Sequence, residues 1–261
     1  MLLFSANLNC LFTEYKLTDA IRESAKAGFD AVECHFPYQT PTSEICFMLE
    51  ETRMPMIVIN TIPGNLKQGE KGLAAIPERR LEARAYIDQA VHYAKEIGSR
   101  NIHVMAGKAP TSKRCNQCFV DNLIYAAKLV SNTKINILIE PLNQRDTPGY
   151  FLTTLEQAAN LIKLTGMNNI KIMFDCYHIQ INQGDLLENF ERHKNLIGHI
   201  QFSASHDRAE PNDGEVNYPW LLNKFKELGY LGFFGAEYFP RNTTSDHPTE
   251  KGIKWLKQFK L

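Results

Sequence analysis

The chain has no charge surplus. Its 261 residues carry 29 Lys and Arg against 29 Asp and Glu, a formal net charge of zero. It therefore offers no basic footprint for nucleic acid, and a small polar substrate suits it better. No apolar run approaches the roughly 18 residues that suggest a membrane span, and the opening MLLFSANLNCLF has no basic leader and reads as a first strand. No GxGxxG or GxxxxGK[ST] loop follows a strand-like run, which excludes the common phosphate-cradling turns. Cysteine is thinly spread: Cys10, Cys34, Cys46, Cys115, Cys118 and Cys176 lack the dense spacing of a small secreted scaffold. Reduced thiols and a cytoplasmic protein are the expectation. Cys115 and Cys118 form a CxxC, but no second pair matches it as a zinc site would require. Linkers and low-complexity tracts are missing too, so a single domain over residues 1–261 is expected.

What is present is alternation. The apolar runs LLFSAN, DAVECHF, MIVIN, NIHVMAG, INILIE, IKIMFD, LIGHIQF and GFFGAEY are each followed by an amphipathic stretch. Eight such units predict an α/β fold of the (β/α)8 TIM-barrel type, eight parallel strands ringed by eight helices, rather than an open doubly wound sheet. Gly28, Gly98, Gly166 and Gly229 each follow a predicted helix, where a left-handed C-terminal cap favours glycine.

In such a barrel the C-terminal ends of the strands line the active site. That singles out Asn7, Glu33, Asn60, His103, Glu140, Asp175, Gln201 and Glu237. Any one of these at a strand end is as readily a helix cap or a loop ion pair, so the set carries the inference. Glu140, Asp175 and Glu237 close apolar runs, where a buried carboxylate must be paired or metal-bound to offset desolvation. Three carboxylates and the amide oxygen of Gln201 are hard donors suited to Mg²⁺ or Mn²⁺, whereas zinc favours histidine and thiolate. His178 lies three residues beyond Asp175, on a predicted loop after the sixth strand, close enough to help position a substrate oxygen. His103, His199 and His206 read as hydrogen-bonding residues.

Several segments then carry a resemblance: FSANL at Phe4 to Leu8, INTIPGN at Ile59 to Asn65, GEKGLAAIPER at Gly69 to Arg79, HVMAG at His103 to Gly107, EPNDGEVNYPWL at Glu210 to Leu221 and EYFPR at Glu237 to Arg241. Along nearly its whole length the chain resembles the hydroxypyruvate isomerases, within the xylose isomerase-like barrels. The last two segments are the most specific. The resemblance implies that Glu140, Asp175, Gln201 and Glu237 are metal ligands, that Glu140 and Glu237 also form the proton-transfer pair, and that His178 and Arg208 contact substrate. The chain departs from the family at Glu78, usually a glycine, and over residues 108–119, which are shorter than in many relatives.

The implied reaction interconverts hydroxypyruvate and tartronate semialdehyde through an enediolate, using a divalent cation and no redox cofactor. Arg208 is expected to clamp the substrate carboxylate through two hydrogen bonds. The alternatives are an isomerase of a longer 2-oxo acid such as 2-oxo-tetronate, a ketose 3-epimerase, and a non-catalytic metal- or metabolite-binding barrel. Phosphodiesterases of the apurinic-endonuclease type share the fold but call for many histidine ligands and a positive surface. The expected partner is a small 2-oxo acid, with neither nucleic acid nor membrane, and a homo-oligomer is left open.

Overall fold

Each predicted apolar run contains a strand: β1 Phe4–Asn7, β2 Ala31–Cys34, β3 Met56–Asn60, β4 Asn101–His103, β5 Asn136–Ile139, β6 Ile170–Asp175, β7 Ile197–Phe202 and β8 Phe234–Ala236. Each runs parallel to its neighbours in chain order, and β8 pairs with β1 through Phe4 opposite Phe234, so the sheet closes into a barrel. Closure removes the exposed edges that an open sheet would have to protect. The computed structural model describes residues 1–241, 244 and 247–260.

The helices are α1 Leu17–Ala27, α2 Thr42–Thr52, α3 Arg80–Ile97, α4 Lys113–Leu129, α5 Leu155–Thr165, α6 Cys176–Asn182, α7 Leu186–His193, α8 Tyr218–Glu227, α9 Pro248–Gly252 and α10 Lys254–Lys260. Two differences from the expected eight are instructive. A short helix, α6, starts directly after β6, because the Asp175 side chain caps it by accepting a hydrogen bond from the Tyr177 N–H at 2.9 Å. His178 therefore sits on a helix, not on the predicted loop. The C-terminal helix is divided into α9 and α10. Gly28, Gly98 and Gly166 take left-handed φ of 96°, 67° and 64° at the ends of α1, α3 and α5, as the sequence suggests, and Gly229 (102°) does so just after α8. Among the described residues, no helix is long and apolar enough to cross a membrane.

Alternation along each strand sorts the side chains. In β6, Ile170, Ile172 and Phe174 join the large core between barrel and helices, while Met173 belongs to a small separate cluster with Ala31, Ile57, Val58 and Leu138. Asp175 and Glu140 continue the inward series of Met173 and Leu138 and so surface at the barrel mouth. The seam between β1 and β8 is packed from outside by Trp255 of α10, whose ring lies edge-on to Phe4 and Phe202 at 5.5 Å each. Its indole N–H donates to the buried Tyr238 hydroxyl at 3.0 Å, fixing the residue next to Glu237. The segments EPND and EYFPR meet here as well: Arg241 pairs with Asp207 at 2.8 Å and Glu210 at 3.3 Å. Phe239 N–H also donates to the Arg208 carbonyl at 2.8 Å, tying the loop after β8 to the loop that carries Arg208.

Candidate active site

All eight strand-end residues named from the sequence are buried in one polar layer: Asn7, Glu33, Asn60, His103, Glu140, Asp175, Gln201 and Glu237. Above it opens a cavity of about 120 Å³ whose lining includes Glu140, His178, Arg208 and Glu237. Pockets for drug-sized ligands run roughly 300–1,000 Å³, so this cavity suits a molecule of a few carbons.

Hydrogen bonds, burial and neighbouring charges shift the groups differently. Glu237 Oε2 accepts from Asn7 Nδ2 at 2.9 Å and Gln201 Nε2 at 2.6 Å, and its other oxygen is bonded by Arg208 Nη2. The same Nη2 lies 3.4 Å from Asp175 Oδ2. Burial alone would raise the Glu237 pKa, but the Arg208 guanidinium, and His35 after it, outweigh that and hold the carboxyl well below its usual range. Glu140 is the opposite case. Burial, followed by the charges of Glu237 and Asp175, pushes it well above the carboxylate range, and its Oε1 has no hydrogen-bond partner. Asp175 rises to about 7, again through burial, with Arg208 pulling the other way. In the metal-free site the two glutamates are thus pushed in opposite directions, the kind of split that marks an acid and base pair.

His178 carries its N–H on the ring nitrogen that faces Asp175 and Glu140. Its Nδ1 accepts from the Asn143 backbone N–H at 3.1 Å, and burial, then the charge of Arg208, keep the ring neutral by lowering its pKa well below the ordinary value. The proton of a neutral imidazole must then sit on Nε2, which lies 3.6 Å from Asp175 and 3.9 Å from Glu140. Glu140, Asp175 and His178 offer atoms within 4.8 Å of one another, a spacing one ion can bridge. An N–H cannot ligate, however, so that cluster requires other donors.

Gln201 is such a donor. Its Nε2 donates to Glu33 Oε2 at 3.1 Å as well as to Glu237, which leaves the buried Oε1 without a partner. Glu33 is itself held by His199 at 2.9 Å and Ser5 at 3.3 Å. Two orphaned oxygens, three carboxylates at one mouth, and a guanidinium already drawn between Asp175 and Glu237 all fit a hard dication, since buried polar atoms demand partners. Glu140, Asp175, Gln201 and Glu237 are the residues that could hold it.

Sequence reasoning missed several contributors. His35 Nε2 lies 2.9 Å from Asn7 Nδ2 and 3.4 Å from Glu237 Oε2. It directly follows β2, so extending the strand-end rule by one residue would have found it. Tyr177 stacks under the Arg208 guanidinium at 4.9 Å and donates to Asp146 at 2.6 Å. Arg208 itself holds φ +55°, a left-handed conformation sparsely used by non-glycine residues. Cys115 and Cys118 fall in the first turns of α4, free and buried, outside the cavity lining.

Comparisons with known proteins give the family. The family described as xylose isomerase-like TIM barrel matches residues 21–259. The 2-oxo-tetronate isomerase of Cupriavidus necator is 40% identical over 259 residues, 98% of each chain. The hydroxypyruvate isomerase of Escherichia coli is 36% identical over 263 residues, covering 100% of both. A crystal structure from Brucella melitensis, described as an AP endonuclease of family 2, superposes with a TM-score of 0.93 at 36% identity over 99% of both chains. The chain is accordingly an isomerase that belongs to the xylose isomerase-like TIM barrel family, in the group that holds the hydroxypyruvate and 2-oxo-tetronate isomerases.

Proposed function

We propose that the protein interconverts hydroxypyruvate and tartronate semialdehyde, with Mg²⁺ or Mn²⁺ as cofactor. The observation that carries this reading is the pair Glu140 and Glu237, opposite in proton affinity, lining one small cavity. The reaction moves a carbonyl between adjacent carbons, so one carbon loses a proton and its neighbour gains one, while the hydroxyl proton passes from the oxygen that becomes the new carbonyl to the oxygen that becomes the new hydroxyl. Glu237 is placed to receive the first, and Glu140 to return the second. In the reverse direction the two exchange roles. The His178 Nε2–H donates to the substrate oxygen on which charge develops. Arg208, in the cavity wall, keeps Glu237 ionised and contacts the bound substrate. Glu140, Asp175, Gln201 and Glu237 would hold the dication, which supplies Lewis-acid polarisation of the substrate oxygens when bound.

A second reading, isomerisation of a four-carbon 2-oxo acid, is favoured by the similarity to the Cupriavidus necator protein. Both acids would be offered to chelator-treated protein with and without Mn²⁺. Metal-dependent formation of tartronate semialdehyde, at a higher kcat/KM than the four-carbon reaction, is expected. Turnover of the four-carbon acid alone would replace the first reading with the second.

A further inference from the structure

We propose that Lys71 binds the carboxylate of the substrate and makes the site selective for small oxo acids over neutral hydroxyketones; this rests on the isomerase reading above. Among the described residues lining the cavity, two carry permanent positive charge, Arg208 and Lys71. They are not equivalent. Arg208 bonds Glu237 and lies 3.4 Å from Asp175 through Nη2 alone and is stacked on Tyr177, so that nitrogen is held among the protein's own carboxylates while the buried Nε has no partner. Lys71 is exposed and makes no hydrogen bond or ion pair with a described residue. A substrate carboxylate entering the cavity meets this ammonium as a second cation, one that no described carboxylate of the protein neutralises. On this view Lys71 shares with Arg208 the clamp expected from the sequence.

The segment carrying Lys71 is anchored, which distinguishes it from a drifting surface lysine. Gly72 N–H donates to the Pro63 carbonyl at 2.9 Å, and Gly72 bridges to Ala106 just beyond β4. The approach is so close that a Cβ on Gly72 would lie 2.4 Å from the Met105 carbonyl oxygen, and its φ of +119° also requires glycine. On the other side Glu70 accepts from the Asn65 N–H at 2.6 Å and pairs with Arg79. The backbone on both sides of Lys71 is thereby held at the cavity mouth, beside Leu66, which lines the same cavity. Only the flexible four-carbon stem has to adjust, and an ammonium acts as a movable point charge well suited to a carboxylate that enters and leaves.

The test uses a matched pair. Hydroxypyruvate and 1,3-dihydroxyacetone are the same hydroxyketone, one bearing a carboxylate and the other a hydroxymethyl group. With Mn²⁺ present, Lys71→Met should raise KM for hydroxypyruvate about 10- to 100-fold, the loss expected for one charge-assisted hydrogen bond. It should leave kcat and the behaviour of dihydroxyacetone within a few fold, and Lys71→Arg should retain most of the selectivity. A purely structural lysine would change both substrates alike, and that result overturns the proposal. Calorimetric binding of tartronate, an inert dicarboxylate, separates this inference from the isomerase reading. Weaker tartronate binding in Lys71→Met upholds the carboxylate site even if wild-type protein fails to turn over hydroxypyruvate. Equal binding overturns it whatever the activity.

Discussion

Gly235, in the middle of β8, gives the sharpest perturbation of the proposed metal centre without replacing a ligand. It lies opposite Gln201 of β7 and Ser5 of β1 in the sheet register. A Cβ added there would come within 2.1 Å of Glu33 Oε1, 2.9 Å of His199 Nε2 and 3.0 Å of Gln201 Cγ. Glu33 is 1% exposed and accepts from Gln201, His199 and Ser5, so it has no open space into which to retreat. Gly235→Ala must therefore break part of this network. Overpacking together with the loss of one hydrogen bond to a buried charge predicts a destabilisation of about 2–5 kcal/mol. Because the Glu33 bond orients the Gln201 amide, Mn²⁺ affinity should fall roughly 10- to 100-fold as well, the usual effect of disturbing a group that orients a ligand. Urea unfolding of the metal-free protein measures the first, and calorimetric titration with Mn²⁺ under folding conditions the second. Wild-type values in both would refute the idea that Glu33 holds Gln201 in place.

Two other perturbations probe the same centre. Glu237→Gln should keep the fold, by circular dichroism, and lower turnover at saturating Mn²⁺ by at least about a hundredfold; near-normal turnover would remove Glu237 from proton transfer. The pH dependence follows from Asp175, which burial raises to about 7, and from Glu140, raised in the same direction. A raised carboxylate contributes stability that is complete below its unfolded value and is lost as pH rises through the folded one. Metal-free protein should thus lose thermal stability between about pH 4 and 7. Glu237, held low chiefly by Arg208 against its burial, acts with the opposite sign but below this window. Mn²⁺ must displace the same protons, so its affinity should climb with pH over that range; a melting temperature in chelator that stays flat from about pH 5 to 8 would contradict this.

The barrel was legible because the period of apolar runs and the glycine caps are local signals, and β1 to β8 fall within those runs. Glu140, Asp175 and Glu237 were legible as candidates for a related reason: a carboxylate directly after an apolar run stands out against its surroundings. Gln201 was visible only as a member of the set, since an amide inside IGHIQF looks like any inward strand residue. Long-range electrostatics left no such trace. Arg208 and Glu237 are 29 residues apart and meet only because the loops after β7 and β8 are tied together. Lys71 lies in a long excursion after β3 whose return to the barrel mouth depends on the contact between Gly72 and the backbone at Met105. The short helix α6 was missed because its cap, Asp175, reads equally well as the last residue of a strand.

The proposed dication centre is tested most directly by titrating Mn²⁺ into chelator-treated protein at pH 7.5 or so, where Asp175 is largely ionised, in wild type and in Asp175→Asn. One tight site per chain, strongly weakened by the substitution and occupied in step with recovery of hydroxypyruvate isomerisation, is the expected result. Full isomerisation in excess chelator, or Mn²⁺ binding that ignores the loss of the Asp175 charge, would contradict it.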